Sequence, residues 1–419
     1  MKAGRMLNAD PHSKKNANPE RSDLLALPSK IPAHITQSSV VLGAVVDRVP
    51  THSGHGVSTL TLTPTPTNTS SPSSLPSSSR RLLSYQPFYL SGAESRRKRL
   101  KEKSVGKWAR PQDIQERNLD TADAWSAFKS ISIGQNQVQV PQAVLPPSSG
   151  SGSEVKTEQD ILMISDLEVH QFLEALDTAN PAATKIGLLA SSTPFITGKP
   201  VTMFFDGQLV QDGVLGVSLV KEAVCNVENR TSVEYPSMAP LGPAMQITRC
   251  RGNIILELDE SNATRLLLDR LQATTLTKDK EYFLATGEPR DSDQDQDANI
   301  DMTQAKVYKI TGGDPSKGNM AVDTVHDLKV GQWVQFIHHD QAQDHGHFDV
   351  ATRDRNGLLR FTATDPNRTI EEQEQDGQYQ EEPVHNVFGG SSENGFIVGQ
   401  PHSEAWVCVV ADSIAKHTL

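Results

Sequence analysis

Cysteine and aromatic residues are scarce in this 419-residue chain, and each shortage excludes a class of protein. The three cysteines, Cys225, Cys250 and Cys408, form no CxxC pair, so neither a disulfide framework nor a cysteine zinc site is expected. Aromatic residues make up 5% of the chain, which suits one or two modest cores rather than a single large one. The length predicts about two or three domains.

Long apolar runs are also missing near the start of the chain. The first twenty residues contain no apolar segment of the kind found in signal peptides. The longest early apolar run, Val40 to Val46, is too short to span a bilayer. We therefore expect a protein made in a reducing cytoplasm, with no membrane partner.

Charge is distributed unevenly along the sequence. Residues 1–130 carry 19 Lys and Arg against 10 Asp and Glu, whereas the remainder carries 21 against 41. Residues 1–154 are rich in Pro, Ser and Thr and are interpreted as an extended basic arm of low complexity. The acidic remainder offers a surface on which such an arm can dock.

A basic run in this arm is the candidate assembly site. It lacks interleaved aromatic residues, so base stacking is not indicated, and docking on neighbouring copies of the chain is the preferred interpretation. Binding to nucleic-acid phosphates is the alternative. The run contains Arg96, Arg97, Lys98, Arg99, Lys101 and Lys103.

Residues 155–290 have the pattern of an α+β unit. A helix is expected after Ser165, because Ser165 and Glu168 have capping-box spacing and apolar residues follow with helical period. A second helix is expected to be capped by Ser261 or Asn262.

Turn signals divide the strands. Asp206-Gly207 lies between two apolar runs and predicts a two-residue hairpin. Residues 303–419 contain several short strand patterns and are interpreted as a small antiparallel β domain. The stretch TGGDPSKGN lacks phosphate-loop spacing and is expected to be a hairpin loop, and FGGSSENG lacks the GxSxG spacing of a nucleophile elbow. Cys225 and Cys250 are expected to be core residues rather than nucleophiles.

The stretch FIHHDQAQDHGHF, residues 336–348, contains four histidines. His345 and His347 would share one face of a strand, and with His338 or His339 opposite them they could hold zinc or nickel. The cupin pattern requires a glutamate where this chain has Ala351. A solvated hairpin loop is the preferred interpretation, so no metal, cofactor or catalytic residue is predicted. A metal-dependent enzyme or binding module using this loop is kept as an alternative.

Residues 201–272 resemble the core unit of phage tail-tube and related virion proteins. GVLGVSLVKEAVCNVENRTSVEY is similar to the first long strand and loop of that unit, and QITRCRGNIILELDESNATRLLLDRL to its closing strand and helix. AVDTVHDLKVGQWVQFI resembles a strand–turn–strand of phage β domains, with Gln332 in place of the usual Asp.

The resemblance implies a mainly β fold with a few helices. A tail-tube-like β-sandwich or barrel would occupy residues 155–290 and a small antiparallel barrel or sandwich residues 303–419, preceded by the arm. It further implies a virion protein without enzymatic activity, a subunit of a phage tail tube, connector or baseplate. Such a subunit would assemble into rings with its own copies, contact other virion proteins and let DNA pass through its lumen. A capsid or decoration protein with a lacing arm is the alternative.

Overall fold

The computed structural model describes the chain in twelve segments. They are residues 40–49, 58–62, 82–96, 102–105, 108–111, 138–147, 157–222, 230–274, 281–289, 299–339, 358–364 and 387–419. For residues 102–105 and 108–111 only the backbone is described.

The described residues are mainly β, which confirms the expected class. The helices are α1 (Gly92–Ser95), α2 (His170–Ala179) and α3 (Ala263–Ala273). The strands are β1 (Leu42–Ala44), β2 (Leu82–Leu90), β3 (Glu102–Val105), β4 (Trp108–Pro111), β5 (Thr157–Ser165), β6 (Thr184–Leu189), β7 (Met203–Phe205), β8 (Gln208–Val210), β9 (Val214–Glu222), β10 (Thr231–Glu234), β11 (Met238–Pro240), β12 (Met245–Arg251), β13 (Ile254–Leu258), β14 (Ser261–Asn262), β15 (Tyr282–Thr286), β16 (Lys306–Asp314), β17 (Asn319–Val322), β18 (Trp333–His339), β19 (Leu358–Ala363), β20 (Val387–Ser392), β21 (Phe396–Gly399), β22 (Trp406–Cys408) and β23 (Ile414–Thr418).

A six-stranded sheet in the order β2-β9-β5-β6-β21-β22 forms the centre of the fold. Strands β5 and β6 are parallel, and α2 provides the crossover between them. Helix α2 buries Phe172, Leu173 and Leu176, so one apolar stripe holds it against the sheet. The other neighbouring strands in this sheet run antiparallel.

Part of the predicted arm belongs to this central sheet. Strand β2 pairs with β9 along nearly its whole length, and Leu82, Phe88 and Leu90 are buried. The apolar residues of this stretch therefore complete a sheet edge, and an edge strand also tolerates Pro87.

The first helix begins later than its sequence pattern predicts. Ser165 is the last residue of β5, where it pairs with Leu189, and α2 starts at His170. Pairing with β6 therefore overrides the capping-box spacing of Ser165 and Glu168. The cap of α3 is confirmed at Asn262, whose side chain accepts a hydrogen bond from the Arg265 amide.

Six antiparallel strands form a second assembly whose pairings close into a ring. The pairings run β12–β13, β13–β17, β17–β16, β16–β15, β15–β18 and β18–β12. The ring contains three strands that precede the expected domain boundary at residues 290–303 and three that follow it. The two predicted domains therefore share one assembly of strands. The predicted hairpins at Asp206-Gly207 and in TGGDPSKGN are confirmed as the turns between β7 and β8 and between β16 and β17.

A four-stranded sheet in the order β10-β23-β19-β20 joins the last residues of the chain to its middle. Strands β19 and β20 are parallel, and β23 runs antiparallel to both β10 and β19. The C-terminal strand is thus an internal member of a sheet.

A buried ionic cluster links this sheet to the central one. The Asp160 carboxylate on β5 accepts hydrogen bonds from Lys221 on β9 and from His417 Nε2 on β23, the latter at 2.9 Å. An Arg230 guanidinium nitrogen lies 3.4 Å from the same oxygen, and the Thr231 hydroxyl bonds His417 Nδ1 at 2.8 Å. Asp160, Lys221 and His417 are at most 1% exposed. The cluster therefore depends on internal pairing, because water does not reach it.

The protonation states within this cluster follow from burial and charge. Burial alone would raise the pKa of Asp160, but His417, Lys221 and Arg230 together hold that pKa well below its usual range. Burial lowers the pKa of His417, so its imidazole is neutral near pH 7. A neutral imidazole that donates from Nε2 to Asp160 must accept at Nδ1 from Thr231. Lys221 and Arg230 are therefore the cations that balance Asp160 at neutral pH.

Replacing Lys221 with methionine should destabilise the protein strongly. The change leaves the Asp160 carboxylate buried with less compensating charge, and breaking a buried pair typically costs about 3–5 kcal/mol. The matched control is Lys416→Met, which removes the exposed 2.7 Å pair between Lys416 and Glu234 and should cost less than about 1 kcal/mol. Urea unfolding followed by circular dichroism measures both values. Equal losses in the two variants would show that the buried cluster has no special role in stability.

Candidate functional site

A surface pocket of about 90 Å³ lies where α2, the β16–β17 region and β22 meet. His170, the first residue of α2, forms one side. The other walls are Tyr308 from β16, the loop 323–326 that follows β17, and residues of the segment 406–409. The pocket therefore joins parts of the chain that are far apart in sequence.

Aromatic and aliphatic side chains form the floor of the pocket. The rings of Tyr308 and Trp406 pack edge to face, with centroids 5.8 Å apart and planes inclined by 63°. Both residues are buried, whereas Val325 and Val409 are exposed at the mouth. Burial raises the pKa of Tyr308, so its phenol is neutral throughout the physiological range.

Polar groups converge on the same pocket from the loop 323–326 and from α2. The Thr324 hydroxyl accepts a hydrogen bond from the His326 amide at 3.1 Å, which fixes the loop. His326 Nε2 bonds the Ala405 carbonyl oxygen at 3.2 Å, and Nδ1 lies 3.7 Å from the Glu404 carboxylate. Burial lowers the pKa of His170, and the proximity of His326 lowers it further, while Asp323 opposes the shift. His170 is therefore neutral at pH 7.

A second polar cluster surrounds Asp47, which follows β1. Thr364 and the Glu393 amide donate hydrogen bonds to the Asp47 carboxyl at 2.6 and 2.9 Å. The Glu393 carboxylate accepts from the Ser192 amide at 2.6 Å. This cluster lies at the carboxyl ends of the parallel pairs β5–β6 and β19–β20, where α/β sheets commonly place functional groups.

The two carboxyl groups of this second cluster affect each other's pKa. Burial, together with the hydrogen bond and charge of Glu393, raises the pKa of Asp47 to about 6, while the Thr364 hydroxyl acts in the opposite direction. Burial alone would raise the pKa of Glu393, but the Ser192 amide and the Asp47 carboxyl lower it. As pH falls, Asp47 is therefore the first of the two carboxylates to gain a proton, near pH 6.

The sequence FGGSSENG forms the turn that presents Glu393. Gly389 lies so close to β19 that a Cβ atom would come within 1.7 Å of the Arg360 carbonyl oxygen, and Gly395 has a φ of 91°. Gly389 is required because β19 approaches its backbone closely, and Gly395 because its positive φ is unfavourable for other residues. The segment consists of most of β20 and the turn that leads into β21. Its serines therefore do not lie on the strand-to-helix turn of a nucleophile elbow.

The arrangement of Thr231, His417 and Asp160 has the connectivity of a nucleophile, a base and an orienting acid. All three side chains are buried, however, so a substrate does not reach them. Burial also raises the pKa of Cys250, and that of Cys408 to about 11, which disfavours the reactive thiolate. Cys225 lies outside the described residues.

The histidine stretch is only partly described. His338 lies on β18, where it pairs with Tyr282 and Ala239, and its Nδ1 is 2.9 Å from the His339 carbonyl oxygen. His345 and His347 lie outside the described residues. No group of three or more potential metal ligands forms within the part of the chain that the structure describes.

The basic run is also only partly described. Arg96 forms ion pairs within its own chain, with Asp166 and with Glu168 at 3.2 Å. Arg97, Lys98, Arg99 and Lys101 are outside the described residues, and of Lys103 only the backbone is described. Docking of this run on neighbouring copies stays a prediction.

Comparison with known proteins gives one family. Residues 98–261 match the FIST N domain. The match covers less than half of the chain and includes the strands from β3 to β13, with α2. Neither the curated proteins nor the solved structures contain a match. Across the twelve described segments, no helix is long and apolar enough to cross a membrane.

The family match overturns the predicted virion role. The FIST N domain is a sensor domain of signalling proteins that bind small ligands, so the interpretation as a phage tail, capsid or decoration subunit is wrong. The misleading patterns were long strands closed by a helix and a strand–turn–strand motif. Both are general features of β proteins and carry little information about function.

Replacing Asp47 with asparagine should change stability in a pH-dependent way. Because folding raises the pKa of Asp47, the stability that this group contributes is lost as pH rises from about 4 through about 6. Asparagine mimics the protonated form at every pH. Urea-unfolding midpoints should therefore favour Asp47→Asn over wild type more at pH 7.5 than at pH 4.5. The control, Asp206→Asn at the β7–β8 turn, should show no such trend, and an equal effect of Asp47→Asn at both pH values would contradict the raised pKa of Asp47.

Proposed function

We propose that this protein is a sensor that binds a small ligand in the pocket between α2 and β22. The observation that carries the proposal is that the walls of the pocket come from two parts of the chain. His170 belongs to the range that matches a sensor domain, and Tyr308, Asp323 and Trp406 belong to the region that follows it. A ligand held here would contact both parts at once.

The composition of the pocket supports ligand binding. Aromatic and aliphatic walls with a few convergent polar groups are typical of sites for small molecules. Titratable groups with shifted pKa values, such as His170, are enriched at functional sites. The volume is several times that needed for one water molecule, so the occupant is small.

Hydrogen bonds connect the pocket to the matched domain and give binding a route to a structural response. The Ala405 amide, next to Trp406, donates to the Asp177 carboxylate on α2 at 2.7 Å. Asp177 also pairs at 3.0 Å with Lys185, which is fully buried on β6. A ligand that stabilises β22 would thereby favour the arrangement in which β22 is bound to α2.

The proposal also holds that the pocket binds its ligand without converting it chemically. The pocket contains no thiol or serine, and the hydroxyl of Thr324 is engaged by the loop backbone. Two imidazoles, one phenol and one carboxyl group can recognise a ligand by hydrogen bonds and charge.

Blocking the mouth of the pocket should abolish ligand binding. Val325 is 61% exposed and lines the pocket, so Val325→Trp places a large ring at its entrance. Ligand-detected NMR with a library of small polar metabolites and fragments should find compounds that bind wild type and lose at least about tenfold in affinity for this variant.

The matched control is Val330→Trp, which changes a valine of similar exposure, 67%, outside the pocket. Compounds that bind the pocket should bind this variant as they bind wild type. The proposed site is wrong when no compound shows this difference, or when every bound compound binds Val325→Trp equally well.

A further inference from the structure

We propose that the pocket between α2 and β22 selects a small organic cation, a protonated amine with a compact apolar body. This inference rests on the proposed function, because it names the class of ligand for the same site. It is carried by the position of Asp323 beside the aromatic wall.

Asp323 supplies the carboxylate that lines the pocket. Its amide is used by the backbone, donating to the Lys309 carbonyl oxygen at 2.8 Å, and this fixes the residue at the end of β17. No ion pair among the described residues engages its side chain. Asp323 lines the pocket and is exposed, so a ligand cation can reach it from solvent.

Neighbouring groups add to the negative potential. The Glu404 carboxylate lies at the rim, 3.7 Å from His326 Nδ1. Two lysines of β16 are engaged elsewhere: Lys306 donates from Nζ to the Glu404 backbone oxygen at 2.9 Å, and Lys309 Nζ pairs with the Glu281 carboxylate. Burial lowers the pKa of His170, so this imidazole brings no positive charge at pH 7. An anionic ligand would therefore meet repulsion where a cation meets attraction.

The apolar walls suit the rest of such a ligand. Trp406 and Tyr308 line the pocket, and aromatic rings attract cations as well as apolar groups. Val407 and Val409 extend this surface towards the mouth. The small volume favours a body of about one ring.

Three probes of similar size with the same ring separate the contributions of charge and of apolar surface. Benzylamine is a cation, benzyl alcohol is neutral and benzoate is an anion, and all carry the same ring. Titration calorimetry or NMR titration of the full chain at pH 7 should rank benzylamine at least about tenfold tighter than benzyl alcohol, with benzoate weakest.

A charge-removing variant locates the effect. Asp323→Asn should weaken benzylamine about tenfold while leaving benzyl alcohol within about twofold. The control Asp327→Asn removes another exposed carboxylate of the same loop, one that does not line the pocket, and should leave the ranking unchanged. Should Asp323→Asn lower the melting temperature, the ranking of the three probes on wild type still decides.

The possible failures are distinct. Equal affinity for benzylamine and benzyl alcohol, with both lost in Val325→Trp, would keep the pocket as a ligand site and overturn its selection of cations. Tighter binding of benzoate would do the same. Binding of benzylamine that Val325→Trp does not change would overturn the pocket itself.

Discussion

The buried carboxylate of Asp160 is the interaction on which most of the fold depends. It joins β5 to β9 through Lys221 and to β23 through His417, a residue 257 positions away. Strand β23 in turn pairs with β19, whose parallel partner β20 leads into the Glu393 turn and β21. Strand β22, which carries Trp406 of the pocket, pairs with β21. Both candidate sites therefore depend on how the end of the chain is held against its middle, and that contact requires every charge in the cluster to have a partner.

Features that depend on neighbouring residues were predictable from the sequence, and features that depend on distant pairing were not. The Asn262 cap and the Asp206-Gly207 turn follow from local backbone chemistry, and both are confirmed. The start of α2 was misplaced, because Ser165 gains more from pairing with β6 than from capping a helix. The pairing of β2 with β9 joins residues more than a hundred positions apart, and alternation alone does not identify such a partner.

The candidate site could not be found by scanning the sequence for motifs. FIHHDQAQDHGHF attracts attention because metal-ligand residues are dense there, yet His338 is a strand residue bonded to its neighbour's backbone. The pocket instead combines His170, Tyr308, Asp323 and Trp406, single residues from separate segments that only the folded chain brings together. FGGSSENG lacks the spacing of a nucleophile elbow, and its structural role lies in Gly389, which permits close packing on β19, in Gly395, which has a positive φ, and in Glu393.

The two ionisable clusters act on stability with opposite signs in overlapping pH ranges. Folding lowers the pKa of His417, so the fold loses stability as pH falls below about 6.5, when the unfolded imidazole gains a proton. Folding raises the pKa of Asp47 to about 6, so this group's contribution instead grows as pH falls from 6 towards 4. The two effects offset each other across this range. Below about pH 4 the unfolded chain gains a proton at Asp160, and the fold loses the stability that the ionised Asp160 provides. Asp47 does not oppose this loss, because its carboxyl is by then protonated in both the folded and the unfolded chain. Mild acid thus acts on the two clusters in opposite directions, whereas strong acid protonates Asp160 and weakens the interaction that joins the sheets.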